Sequence, residues 1–166
     1  RGSWPVFITV PAQRYHMTSP DAVRMADDER DEFLGRSGTG VISLSTADGD
    51  PPHSVPVSYG YDPVEEVFYF RLAVGGESEK RDPTDRGTTF VTYGRRDGRL
   101  KSVVASGRLV STTDESISAE TLAGLERTRE IPIVDIFGEP TSHVEFELYR
   151  LDPDRLTGRV ERSMDP

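Results

Sequence analysis

From residue 40 onward the chain alternates apolar and polar side chains in short runs separated by turn-forming residues, the period expected of strands that bury one face. In one run Val55, Val57, Tyr59 and Tyr61 share a side, and Ser54, Pro56, Ser58 and Gly60 share the other. The stretch Val67-Phe68-Tyr69-Phe70-Arg71-Leu72 is dense in the aromatic and β-branched residues that suit a pleated, half-buried surface. Asp48-Gly49, Asp62-Pro63 and Asp97-Gly98 supply reversals between runs. The pattern predicts strands at about 40–46, 54–61, 66–72, 88–94, 100–112 and 143–151, with a seventh at 155–161. Gly107, inside the longest run, predicts a bulge or bend.

Helical signals are few. Asp27 to Leu34 reads as a short helix whose acidic first turn suits the positive end of the helix dipole, ended by Gly35 or Gly38 and capping one end of the sheet structure. Ser118 to Arg129 carries an apolar stripe of Ala119, Leu122, Ala123 and Leu125 opposite Glu120, Glu126 and Arg127. A second helical piece is expected from Ile133 to Phe137. The expected fold is mainly β (α+β): a small antiparallel barrel of six to seven strands with short helices. A chain of 166 residues can bury one core of that size, so a single domain is expected.

Charge changes the picture. Acidic residues number 29 against 20 basic ones, and Lys80 and Lys101 are the only lysines. A carboxylate-rich surface of net charge −9 repels itself at low ionic strength and is relieved as salt shortens the Debye length, which points to a halophilic protein. No basic stripe offers phosphate neutralisation to a nucleic acid. No apolar run has the length of a membrane-spanning helix, and a soluble, cytoplasmic protein is expected. There is no cysteine for a disulfide, a thiolate nucleophile or a cysteine zinc site. Residues 1–16 hold Arg1 and Arg14 and no acid, so this segment is read as a leader or an added extension, with Met17 or Met25 as the native start and residues 17–166 as the domain.

Gly35-Arg36-Ser37-Gly38-Thr39-Gly40 looks like a dinucleotide loop but follows a helix and precedes a strand, the reverse of the order such a loop needs. Gly75 to Arg81 is a better anion site. Small residues allow close backbone approach, Ser78 can donate through its hydroxyl, and Lys80 and Arg81 supply charge. A solvated loop in which Glu77 and Glu79 cancel those charges satisfies the same residues. His16, His53 and His143 lack metal-ligand spacing, and no Gly-x-Ser-x-Gly elbow is present. His53, just before the second strand, is a candidate proton shuttle or a structural histidine.

Taken in order, the acidic helix, Gly40-Val41-Ile42-Ser43-Leu44-Ser45-Thr46, Asp48-Gly49, Pro52 to Tyr59, the Phe68-Tyr69-Phe70 strand and Ser78-Glu79-Lys80-Arg81 resemble the pyridoxamine 5'-phosphate oxidase-like family of FMN-binding split barrels, in a haloarchaeal member. Thr89 to Tyr93, Lys101 to Leu109 and Val144 to Leu151 continue the resemblance. It implies a homodimer with FMN at the subunit interface, acting as a flavin-dependent oxidoreductase on an unidentified small molecule. It also implies that Val55, Pro56, Val57 and Ser58 lie along the flavin ring, that Phe70 and Leu72 line the same pocket, and that Ser78, Lys80 and Arg81, joined by Arg71, hold the phosphate. Lys101 and Ser102 are implied as further flavin contacts. Ordinary strand packing, a barrel-rim arginine and a lone strand-end lysine are the corresponding structural readings. The C-terminal Arg155, Arg159 and Arg162 do not match the Arg-rich element with which true oxidases of this kind hold their substrate phosphate. The rivals are a non-catalytic flavin-binding module, a haem-binding barrel with His53 or His143 as ligand, and a deazaflavin-binding barrel.

Overall fold

Short alternating runs are stable only when paired, and here they pair into one continuous antiparallel sheet. The structure, a computed structural model, describes residues 22–46, 49–74, 82–127 and 145–162. Its elements run β1 (Ala22–Arg24), α1 (Asp27–Leu34), β2 (Ser37–Leu44), β3 (His53–Asp62), β4 (Val67–Val74), β5 (Gly87–Arg96), β6 (Arg99–Ser111), α2 (Ala119–Arg127), β7 (Glu145–Leu151) and β8 (Arg155–Glu161). Strand order across the sheet is β1-β8-β6-β5-β2-β3-β4-β7, and β7 pairs again with β6. Six strands therefore close on themselves while β8 and β1 extend as a flange from the same long strand. The result is a mostly antiparallel split β-barrel with two short helices, the expected class with eight strands in place of six or seven.

The additional strand is β1, whose three residues carry no alternation long enough to read and which exists by pairing with β8. β2 begins at Ser37, earlier than the pattern predicts, because its glycines are packing devices. A Cβ on Gly38 would stand 2.8 Å from the Tyr59 hydroxyl, and one on Gly40 would stand 2.5 Å from the Val91 carbonyl oxygen. Both positions let aromatic rings lie flat against the strand. Gly107 has a similar reason and makes no bulge. β6 pairs with β5 without interruption from Arg99 to Arg108, and a Cβ at Gly107 would meet the Asp152 carbonyl at 3.1 Å, where β6 exchanges β8 for β7. The Asp97-Gly98 hairpin forms as expected, both residues at positive φ.

Inside the barrel Phe90 is the hub. Its ring lies 5.2 Å from Tyr59, 5.2 Å from Phe68 and 5.0 Å from Phe70, in tilted or edge-on geometries. Ile42, Val103, Ala105, Leu109 and Leu151 complete this core. α1 closes one end: the Tyr59 hydroxyl donates to the Leu34 carbonyl at 2.9 Å, and the Tyr61 hydroxyl donates to Asp31 at 2.8 Å. α2 packs on the outside of the barrel, where Leu125 meets Val67, Tyr69 and Ile117 in a second apolar cluster. The expected helical piece at 133–137 and the segment 1–16 lie outside the described residues.

Candidate functional site

Alternation divides the residues of the expected flavin site between two faces. On β3, Val55 and Val57 point inward and pack on the barrel core, leaving exposed Pro56 and half-buried Ser58 outside. On β4, Phe70 is fully buried and Leu72 packs against the same core, while Arg71 points outward beside the α2 cluster. On β6, Lys101 points inward and Ser102 outward. The structure thus brings Pro56, Ser58, Arg71 and Ser102 to the outer face and places Val55, Val57, Phe70, Leu72 and Lys101 on the inner one. Ser58 and Arg71 lie one residue past the Tyr59–Phe70 pair, where β3 and β4 stop pairing. Ser78, Lys80 and Arg81 lie outside the described residues.

Lys101 is occupied. Its ammonium sits 2.9 Å from Glu29 of α1, and its side chain is almost wholly buried. Glu29 also faces Arg99 at 3.6 Å, so this corner ties α1 to the start of β6. Arg30, equally buried, donates to Asp27 and Asp31 at 3.1 and 2.9 Å and also bonds Glu66. Burial alone would lower the Arg30 pKa, but the hydrogen bonds to Asp31 and Glu66 hold it above the ordinary value. None of these cations is left to meet a ligand.

Arg71 differs. It faces a cleft of about 540 Å³, lined also by Ser111, Thr112, Thr113, Asp114 and Glu147, and its Nε is buried with no hydrogen-bond partner. A buried unsatisfied guanidinium N–H is costly, and it is the kind of group an anionic ligand completes. The cleft is within the size range of small-molecule sites. Glu147 in its wall accepts a 2.8 Å hydrogen bond from Tyr149, whose pKa burial and that carboxylate together push up to about 12. The Ser111 to Asp114 run was not singled out from the sequence. Its signal is a hydroxyl-rich stretch directly after the longest strand, ordinary in composition and informative only once β7 lies beside it.

His53, the first residue of β3, is exposed and pairs in register with Leu44. Among the described residues no group of three or more His, Cys, Asp or Glu side chains could hold a metal ion, and no helix is long and apolar enough to cross a membrane.

A mostly antiparallel split barrel with a cleft beside Arg71 of β4 defines the class of protein. Residues 26–160 match the family model of pyridoxamine 5'-phosphate oxidase. The chain belongs to that family. Among solved structures it is similar to the FAD binding protein of Mycobacterium smegmatis, at 18% identity over 85% of this chain and 99% of that one, with a TM-score of 0.56. A FAD-binding protein of Mesorhizobium loti aligns at 18% identity over 86% and 98% of the two chains, TM-score 0.55. The FAD and haem binding protein of M. smegmatis aligns at 11% identity over 88% and 76%, TM-score 0.59. No curated protein matches the chain.

Proposed function

We propose that this protein binds FMN and is a flavin-dependent oxidoreductase for a small molecule, working as a cytoplasmic homodimer. The observation that carries the reading is the family match across residues 26–160. Arg71 fits the group: its unpartnered Nε and the hydroxyls of Ser111 and Thr113 can hold a phosphate oxygen in the cleft, where Asp114 and Glu147 call for further positive charge, the part proposed for Lys80 and Arg81. Bound flavin supplies the electron transfer that no side chain here can perform. Pro56 and Ser58 supply an outer wall, and Phe70 and Leu72 hold that wall rigid from behind.

The homodimer has support in the outer sheet face. Register places Pro56, Val41, Val91, Val104 and Thr157 in one row across five strands, an apolar stripe with Val41 and Pro56 exposed. A second copy would cover it, and Val91→Glu should then convert a dimer to a monomer in analytical ultracentrifugation.

A haem reading draws on one observation, the exposed His53, together with the relative described as binding FAD and haem. The visible spectrum of protein purified in high salt separates the readings. A flavin band that releases FMN supports the proposal, a Soret band lost in His53→Ala replaces it with haem, and a colourless protein that fails to take up FMN removes it. Lys80→Ala should weaken FMN binding by ~2 kcal/mol, the scale of a charge-assisted hydrogen bond, as read by titration.

A further inference from the structure

A row of side chains runs from the barrel onto the flange, and of its members only Ser102 is an expected flavin contact. Tyr93 of β5 pairs with Ser102 of β6, Ser102 with Arg159 of β8, and Arg159 with Arg24 of β1. Directly opposed residues of antiparallel strands project to the same side, so these four side chains form one line across the outer face. In the single chain Tyr93 is 71% exposed and both arginines are exposed, and the row lies at the margin of the Val91–Val104–Thr157 stripe proposed for the second copy.

Two facts make the row unusual. In a chain with 29 acidic residues, neither Arg24 nor Arg159 forms an ion pair or side-chain hydrogen bond among the described residues. Four other surface arginines do, Arg36 with Glu120, Arg95 with Glu161, Arg99 with Glu29 and Arg150 with Asp152, while Arg155 of β8 is exposed without an ion pair among the described residues but has no second arginine opposite it. Glu161, two residues along β8 on the same face, is engaged by the Leu100 N–H at 3.0 Å as well as by Arg95. The second fact is that like charges directly opposed across strands destabilise the pair, so Arg24 and Arg159 repel each other unless an anion stands between them.

We propose that this row is a binding site for an aromatic carboxylate, with the carboxylate on Arg159 and Arg24, the Ser102 hydroxyl donating to it, and the ring against Tyr93. Strand spacing sets the size. Tyr93 and Arg159 stand two strands apart, roughly 10 Å at the backbone, a span that a one- or two-ring acid bridges once the arginine leans inward. Two planar guanidinium forks and one hydroxyl suit a carboxylate or a phosphate alike, but the strand N–H groups that would cradle a phosphate are committed to the sheet, and that tips the site toward carboxylate. Because Ser102 is also an expected flavin contact, a ligand here would lie beside the cofactor as substrate. That role rests on the flavin reading; the binding itself does not.

The test is calorimetric titration of the full chain with 2-naphthoate at low ionic strength, with the flavin content of each sample recorded by absorbance. Arg24→Gln and Arg159→Gln should each weaken binding roughly three- to five-fold, the scale of an exposed ion pair. Tyr93→Ser should weaken 2-naphthoate without changing acetate. Arg155→Gln, two rows away on β8, should change neither. The proposal is overturned if 2-naphthoate binds no better than acetate, if the arginine variants bind as tightly as the parent, or if phenyl phosphate binds more tightly than 2-naphthoate. Binding by a flavin-free protein supports the site and counts against the flavin reading; a flavin-loaded protein without binding does the reverse.

Discussion

Arg30 and Arg71 are both arginines at the margins of the same barrel, and they are treated in opposite ways. Arg30, under α1, is buried among Asp27, Asp31 and Glu66, with the Tyr61 hydroxyl sharing Asp31. Arg71, in the middle of β4, buries its Nε with no partner and faces a cleft. A charge taken out of water must be paired, and one that is not paired by its own chain is a candidate for pairing by something else. Lys101 falls on the Arg30 side of this comparison, because Glu29 already holds it. The difference separates cations that lock the fold from cations available to a ligand, a distinction that residue type alone does not make.

The largest effect should come from Arg30→Met. It leaves three carboxylates, Asp27, Asp31 and Glu66, without their cation, and chemical denaturation should show a loss of about 2 kcal/mol, below the cost for a fully buried pair because Asp27 and Glu66 reach solvent. Should Arg71→Met cost as much in protein free of ligand, the comparison fails. The expected result is a stability change within about 0.5 kcal/mol, since the variant loses an unsatisfied N–H rather than a pair, together with roughly ten-fold weaker FMN binding by titration.

Alkaline pH sharpens the same comparison from the side of the core. Burial pushes Tyr59 up to about 12, above the unfolded value of about 10, so the folded state keeps a proton that the unfolded state gives up. Tyrosine-linked stability is therefore fully present below pH 10 and is lost as pH rises toward 12. Urea midpoints should hold steady to pH 9.5 and fall by pH 11. Tyr59→Phe should remove part of that fall, and an unchanged slope would place the titration elsewhere. The smallest effect concerns the surface: lowering potassium chloride should reduce the melting temperature, because exposed carboxylates lose screening. A melting temperature indifferent to salt removes the inference of a halophilic protein.

The strands were legible because alternation records burial directly. Val55, Val57, Tyr59 and Tyr61 are read as one face and lie on one face, against the core. The aromatic strand at Phe68 and Phe70 and the Asp97-Gly98 hairpin are equally local, the first set by side-chain type and the second by backbone φ. The expected flavin residues were less legible, because they were gathered by stretch and a strand divides every stretch in two. Phe70, Arg71 and Leu72 are consecutive, yet Arg71 alone of the three points out of the barrel toward the cleft.

What the sequence by itself determined is the local alphabet: a mainly β chain, its turns, its two described helices, an acidic surface and membership of one family. Each rests on patterns spanning a few residues or on their order. The tertiary structure alone decided which side chains share a face and which cations have partners. Glu29 reaches Lys101, Glu66 reaches Arg30, and Arg24 comes to lie opposite Arg159, because sheet closure and the β8–β1 flange join residues remote in the chain. Pairing of charge is a property of distance in space, and only the closed barrel sets those distances.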